Sequence, residues 1–271
     1  WECLHALADS VHQANIPMDI AVKVDTGMGR LGFPPAEIEA VSDFLALNPL
    51  LHPVVQISHF SVADDPHEDA YTQKQAQHFF QAAAILHNRF PNMRCSLGNS
   101  AGLLCHTEES GDICRPGLAL YGYNPLLGTS GEKNCPSLEP VMSVTAPLLS
   151  IHPLHKGDSL GYGRAYIATE ERIVGWVAIG YADGYRRNPA PETCMCVNGV
   201  RVPVIGRVAM QMTCVDLTAL VSQDEGLPVR AGDDVYIMGG PGNAVSAQDL
   251  ADWWNTIPYE VICLLGKIQR G

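Results

Sequence analysis

Six short segments carry residue types that could do chemistry. Lys23 and Arg30 bracket the turn Asp25-Thr26-Gly27-Met28-Gly29. Ser58-His59 follows an apolar run, Asn99-Ser100-Ala101-Gly102 follows another, and Arg115-Pro116-Gly117 lies shortly after. Small residues with free N–H groups beside Ser100 and Gly117 suit a phosphate. Further on stand Gly161-Tyr162-Gly163 and Gly180-Tyr181-Ala182-Asp183-Gly184-Tyr185. Glycines on either side of a tyrosine let the backbone approach closely and leave the phenol exposed. A phenol near positive charge can act as a general acid or base. Each segment alone is weak, since strand-end histidines and Ser/Gly turns are usually structural. Four on successive strand ends point to a site.

The elements that must position them read as follows. MDIAVKVDTG, PVVQISHFSV, MRCSLGNSAG and DICRPGLALYG read as strands. Between them PAEIEAVSDFLAL, with Pro34-Pro35 ahead of it, and EDAYTQKQAQHFFQAAAILHNRF have helical spacing. The opening WECLHALADSVHQANIP reads as an amphipathic helix without a basic leader. Strand–helix–strand order implies a parallel sheet, whose sites lie at the strands' C-terminal ends. Four strand units are about half of a closed (β/α)8 barrel. The second half is β-rich: MSVTAPLLSIHPL, RIVGWVAIGYADG, CMCVNGVRVPVIGRVAMQMTCVDLT and DDVYIMGG. Asn198-Gly199 marks a hairpin between two alternating runs. Helix returns in SAQDLADWWNTIPYEVICLLGKIQR, where Ser246 and Asp249 suit a helix start. The stretch 124–140, rich in Gly, Pro, Ser and Asn, reads as a linker.

Composition narrows the function class. The chain has 271 residues, 46% hydrophobic and 17% charged, with a net charge of −12. That is the profile of a folded protein, and so acidic a chain does not grip nucleic acid or an anionic membrane by net charge. No apolar run approaches the roughly 18 residues of a membrane helix. Nine cysteines, with Cys194-Met195-Cys196 the only close pair, argue for reduced core thiols in a cytoplasmic protein. No metal site is expected. His152-Pro153-Leu154-His155 lacks a partner at metal spacing and reads as a loop. The acidic run Asp64–Asp69 reads as a solvated turn opened by Asp65-Pro66. Trp253-Trp254 reads as helix packing or interface.

In order along the chain, KVDTGMGRLGF, SHFSVADDP, NSAG, RPGLALYG, GYGRAY, GYADGY, VNGVRVPVIGRVAM and PYE resemble the alanine racemases, pyridoxal-phosphate (PLP) enzymes of fold type III. The resemblance implies the C-terminal half of a PLP-binding (β/α)8 barrel over residues 1–138. A mostly β C-terminal domain with terminal helices follows over 139–271. It implies racemisation of L- and D-alanine by two-base proton exchange, supplying D-alanine for cell-wall peptidoglycan. It also implies a cytoplasmic homodimer whose site is shared between subunits. Tyr162 matches the catalytic tyrosine, which acts on the partner subunit's cofactor. Arg115 matches the arginine facing the pyridine nitrogen, and His59 a residue packed beside the ring. Ser100, Gly117, Leu118 and Tyr259 match the phosphate-binding set. Arg30 matches the arginine that meets the phenolate oxygen and the substrate carboxylate. Met210 lies where a backbone N–H from the other subunit meets that carboxylate, and Tyr181 lies at the inner entrance. Lys23 matches a lysine carbamylated in some members, and a free amine fits equally.

Two departures stand out. The family's Schiff-base lysine lies in a motif resembling VVKANAYGHG, and none of Lys23, Lys74, Lys133, Lys156 and Lys267 has that setting. The expectation is a subunit whose N-terminal part lies outside this sequence. Gln211 stands where the family usually has Asp, next to the substrate path. The alternatives are a non-catalytic racemase fragment or interaction module, a serine or broad-specificity racemase, or another fold type III protein such as a decarboxylase or a PLP carrier.

Overall fold

The computed structural model describes residues 1–188, 190–221, 229–242 and 244–267. The chain divides into two compact units, Trp1–Glu139 and the residues from Pro140 onward.

The first unit alternates helices and parallel strands. They run α1 (Glu2–Ala14), β1 (Met18–Lys23), α2 (Ile38–Leu47), β2 (Leu51–Ile57), α3 (Asp69–His87), β3 (Arg94–Ser96) and α4 (Ser100–Cys105). The strands form one sheet in the order β1-β2-β3. Lys23 is in register with Ile57, and Ile57 with Ser96, so the three strands end in one row. Apolar faces of the helices bury against this sheet. Ala8 and Val11 of α1 and Ile38, Val41 and Leu45 of α2 join Val22, Leu51, Ala82 and Leu86 in one core. Phe60, Ala76, Phe79, Leu97, Ala101 and Leu126 form a second, near the strand ends. Leu126 is fully buried there, so part of the expected linker is core.

The expected fourth strand is absent. The Asp112 side chain accepts the Cys95 N–H, Pro116 has no N–H to give, and Leu118–Tyr121 close into a 3-10 turn. A bridge between Ser96 and Gly111 and the Ile113 N–H bond to Cys95 O at 3.0 Å pair this stretch with β3, but they build no strand.

The second unit contains β4 (Val144–Leu154), β5 (Ser159–Leu160), β6 (Tyr166–Ile167), β7 (Arg172–Val177), β8 (Cys194–Val197), β9 (Val200–Ile205) and β10 (Thr213–Asp216). These are followed by α5 (Thr218–Val221), β11 (Asp234–Met238), α6 (Ala247–Trp254) and α7 (Pro258–Leu265). Six strands close a barrel in the order β10-β7-β4-β11-β8-β9, with β9 pairing back to β10, while β5 and β6 form a separate pair. Every pairing is antiparallel, and closure leaves no exposed barrel edge. Asn198 (φ 49°) and Gly199 (φ 79°) form the tight turn between β8 and β9. Ser246 and Asp249 cap α6 reciprocally. Trp254 is buried edge-on against Tyr185, centroids 5.2 Å apart.

His152–Leu154 lie within β4, and His155 pairs with Glu171 at 2.8 Å, so the expected loop is mostly strand. Asp65 accepts from His67 N–H as the acidic turn opens. Residues 268–270 of the final helical stretch lie outside the described residues. All nine cysteines are free thiols, and no group of three metal-binding side chains occurs among the described residues. No described helix is long and apolar enough to cross a membrane.

Candidate active site

In the first unit, the site residues leave the row where the three strands end. Lys23 is the last residue of β1. The chain then turns sharply, with Asp25 Oδ1 accepting the N–H groups of Gly27 and Gly29 at 3.0 Å each, and it presents Arg30 at the surface. Burial of Asp25 disfavours its charge. Donation from Gly27, Gly29, Met28 and Arg30 N–H outweighs that and holds the carboxyl below its ordinary range. After β2, buried Ser58 donates to Val24 O at 2.7 Å and meets Thr26 Oγ1 at 2.9 Å. His59 follows, half-buried.

Past β3 the chain turns back through residues 110–117 beside the sheet. The Arg115 guanidinium bonds Ser96 Oγ and donates to Ser58 O at 2.5 Å. Ser96 Oγ in turn donates to Ile113 O. The cation is therefore fixed across the ends of β2 and β3. Asn99 caps α4 by accepting from Gly102 N–H at 2.9 Å. Buried Ser100 accepts from Gly117 N–H at 2.9 Å and Ala119 N–H at 3.2 Å. A Cβ on Gly117 would meet nothing within 4 Å, whereas one on Gly102 would strike Phe60 at 2.8 Å. Gly117 therefore borders open space beside the Ser100 hydroxyl, a donor that suits an anion. Leu118 is buried behind it.

The cations act on each other. Burial lowers the Lys23 pKa, and Arg115 and Arg30 lower it further against the pull of Asp25. His59 is likewise held below its ordinary value, first by burial and then by Arg115, Arg30 and Lys23. Neutral imidazole is favoured at pH 7, and Lys23 has more free-amine character than an exposed lysine.

In the second unit the tyrosines stand on glycine turns. Tyr162 lies between Gly161 (φ 68°) and Gly163 (φ 70°) and is 72% exposed. A Cβ on Gly163 would lie 3.1 Å from Arg207 Nη1, so Arg207 packs over this turn. Tyr181 N–H donates to Ala209 O at 3.1 Å, and Ala182 N–H to Met210 O at 2.9 Å. A Cβ on Gly180 would come within 2.3 Å and 2.4 Å of those two carbonyls. The GYADG and GRVAM segments thus meet backbone to backbone, which brings Tyr181 and Met210 together. Met210 and Gln211 are exposed on that loop, which Ala209 N–H closes onto Met212 O at 2.9 Å. Tyr259 is exposed in the first turn of α7.

The structure thus gathers Lys23, Arg30, His59, Ser100, Arg115, Gly117 and Leu118 at one end of the first unit's sheet. Tyr162, Tyr181, Met210 and Tyr259 belong to the second unit. Sequence reasoning missed Arg207, and it missed Tyr71 and Gln75, which pack among the strand-end loops with Ser58 and Thr26. Arg207 lies inside a quoted motif; Tyr71 and Gln75 carry no local signal.

The first unit is an α/β sheet that gathers cations and hydrogen-bond donors at one end, an arrangement that suits anions. The pattern described as "Alanine racemase, N-terminal domain" matches residues 1–125, and "Alanine racemase, C-terminal domain" matches residues 141–270. The alanine racemase of Nitratidesulfovibrio vulgaris (strain Miyazaki F) is 48% identical over 253 residues, covering 93% of this chain and 66% of that protein. A crystal structure of alanine racemase from E. faecalis is 33% identical with a TM-score of 0.78, covering 92% of this chain and 64% of that one. A structure of alanine racemase from Bartonella henselae with covalently bound pyridoxal phosphate is 26% identical with a TM-score of 0.79, covering all of this chain and 70% of that one. This chain belongs to the alanine racemase family and has its fold, an N-terminal barrel domain followed by a β-rich domain. It spans about two thirds of the length of the relatives it matches.

Proposed function

We propose that this chain forms the greater part of a PLP-dependent alanine racemase. The observation that carries this reading is the cradle of Ser100 Oγ and Gly117, open where a side chain would fill it, beside the fixed Arg115 cation. These residues fit the cofactor's anionic and heterocyclic ends. Ser100, Gly117, Leu118 and Tyr259 would hold the phosphate, Arg115 would face the pyridine nitrogen, and neutral His59 would pack beside the ring. PLP, when bound, supplies the electron withdrawal that makes the Cα–H of alanine acidic.

The chain's own residues do the rest. The Arg30 guanidinium binds the substrate carboxylate, with the Met210 backbone N–H of a second subunit. Arg115, a permanent cation held by two oxygens, discourages a proton on the nitrogen it faces. Tyr162 Oη takes or returns the Cα proton on one face of the substrate. A change of hand needs a second acid/base on the opposite face. The resemblance gives that role to the lysine that bonds the cofactor, and none of the five lysines here stands in its motif. Tyr181 and Gln211 border the substrate's path, where Gln in place of Asp removes a charge. Lys23, with its depressed pKa, is suited to carbamylation or to acting as a free amine beside Arg30. The working enzyme is a cytoplasmic homodimer supplying D-alanine for peptidoglycan.

The test is D-alanine formation from L-alanine by the full-length protein with PLP. Tyr162→Phe is expected to lower it at least about 100-fold. Undiminished turnover would refute the role of Tyr162, and no turnover in the unaltered protein would refute the reading.

A further inference from the structure

The loop carrying Arg30 and the loop carrying His59 leave neighbouring strands, and one helix bonds both. Gln75, in the middle of α3, is completely buried. Its Oε1 accepts from Ser61 N–H at 3.0 Å and from Ser61 Oγ at 2.9 Å. Its Nε2 donates to His59 O at 3.2 Å and to Thr26 Oγ1 at 3.5 Å. The amide thus uses both donors and both acceptor sites, and divides them between the two loops. Four residues earlier, on the same face of α3, Tyr71 OH donates to Gly27 O at 2.9 Å. Contact there is close: a Cβ on Gly27 (φ 135°) would lie 2.5 Å from the Tyr71 oxygen and 3.6 Å from Gln75 Cγ. The Thr26–Ser58 hydroxyl contact ties the loops once more at their roots.

A buried side chain needed only for packing would be apolar, because an amide must have every bond made to justify its desolvation. Here every partner lies within a few residues of Arg30 or His59. We propose that Gln75, assisted by Tyr71, is a positioning residue that clamps the Arg30 loop to the His59 loop and so fixes the spacing of those two side chains. The functional meaning of that spacing rests on the racemase reading, but the clamp itself does not. His59 reports on it, because its titration senses Arg30, Lys23 and Arg115 together.

The experiment uses the full-length protein without cofactor and reads amide hydrogen exchange and the His59 ring titration by NMR. Tyr71→Phe deletes a bond made only to the Arg30 loop. It is expected to speed exchange of the Ser61 amide, in the other loop, at least about tenfold. It should also move the His59 midpoint upward by about half a unit as the cationic loop relaxes. Gln75→Met is expected to speed exchange of the Gly29 amide, and Gln77→Met, exposed on the same helix, to change neither loop. If Gln75→Met does not fold, Tyr71→Phe decides alone. Effects confined to the loop whose bond was deleted, or an unmoved His59 midpoint, would overturn the clamp. A failure to bind PLP or to racemise would refute the proposed function and leave these exchange results standing.

Discussion

The two units hold their candidate residues by different means. In the first, side chains hold the backbone of other segments: Arg115 reaches Ser96 Oγ and Ser58 O, Ser100 takes two backbone amides, and Gln75 bonds two loops. Mutual repulsion and burial there lower the affinity of Lys23 and His59 for protons. In the second, backbone holds backbone. Tyr181 and Met210 meet because Gly180 has no side chain, and Tyr162 stands out from a turn of two left-handed glycines. The first arrangement sets electrostatics and specificity; the second sets only the direction in which a phenol is presented. An acid/base that must swap a proton with a substrate gains from the second, and a ligand's anchors gain from the first.

Substitutions at glycines separate the two designs most sharply. Gly180→Ala sets a methyl against two carbonyl oxygens and is expected to cost roughly 3 kcal/mol or more of unfolding free energy in denaturant. Gly117→Ala meets open space at a negative φ of −111°. It should change stability by less than about 0.5 kcal/mol. The same methyl occupies the place assigned to the phosphate, so PLP affinity by equilibrium dialysis should fall about tenfold, or about 1.4 kcal/mol. Equal effects on folding at the two glycines would erase the distinction. Ser100→Ala removes the acceptor for two amides and should cost about 1 kcal/mol of stability, with weaker PLP binding.

The smallest effect is in pH dependence. His59 titrates lower in the folded chain than in the unfolded one, so the unfolded state takes up the proton first as pH falls. Stability from this source is complete above the ordinary midpoint near 6.5 and is lost on acidification below it. His59→Asn should therefore flatten the loss of stability between about pH 7 and pH 5 by a few tenths of a kcal/mol. A steeper loss in the variant would reverse the sign.

Much of this was legible from local pattern. Helix faces, the Asn198-Gly199 turn and the Ser246/Asp249 cap depend on residues a few positions apart, and the structure has all three. The segment 112–121 misled because its apolar run hides Pro116 and an Asp112 side chain that accepts a strand amide. The two readings of His152–Leu154, loop from the absence of a metal partner and strand from the run MSVTAPLLSIHPL, are decided by β4, which runs through Leu154. Leu126 looked like linker because the stretch it opens is rich in Gly, Pro, Ser and Asn, yet it fills a core. The strand-end residues could be placed by the rule for parallel sheets. Gln75 could not be, because its partners lie 14 to 49 residues away and hydrogen bonds of that span leave no period in the sequence.

The central claim is that Tyr162, presented by the second unit, is one of two proton carriers acting on opposite faces of alanine. The most direct measurement is exchange of the Cα proton in deuterated water by the full-length protein with PLP, started separately from L- and D-alanine. For Tyr162→Phe the account predicts that deuterium entry collapses for one enantiomer and falls far less for the other. Equal losses from both, or none, would contradict it.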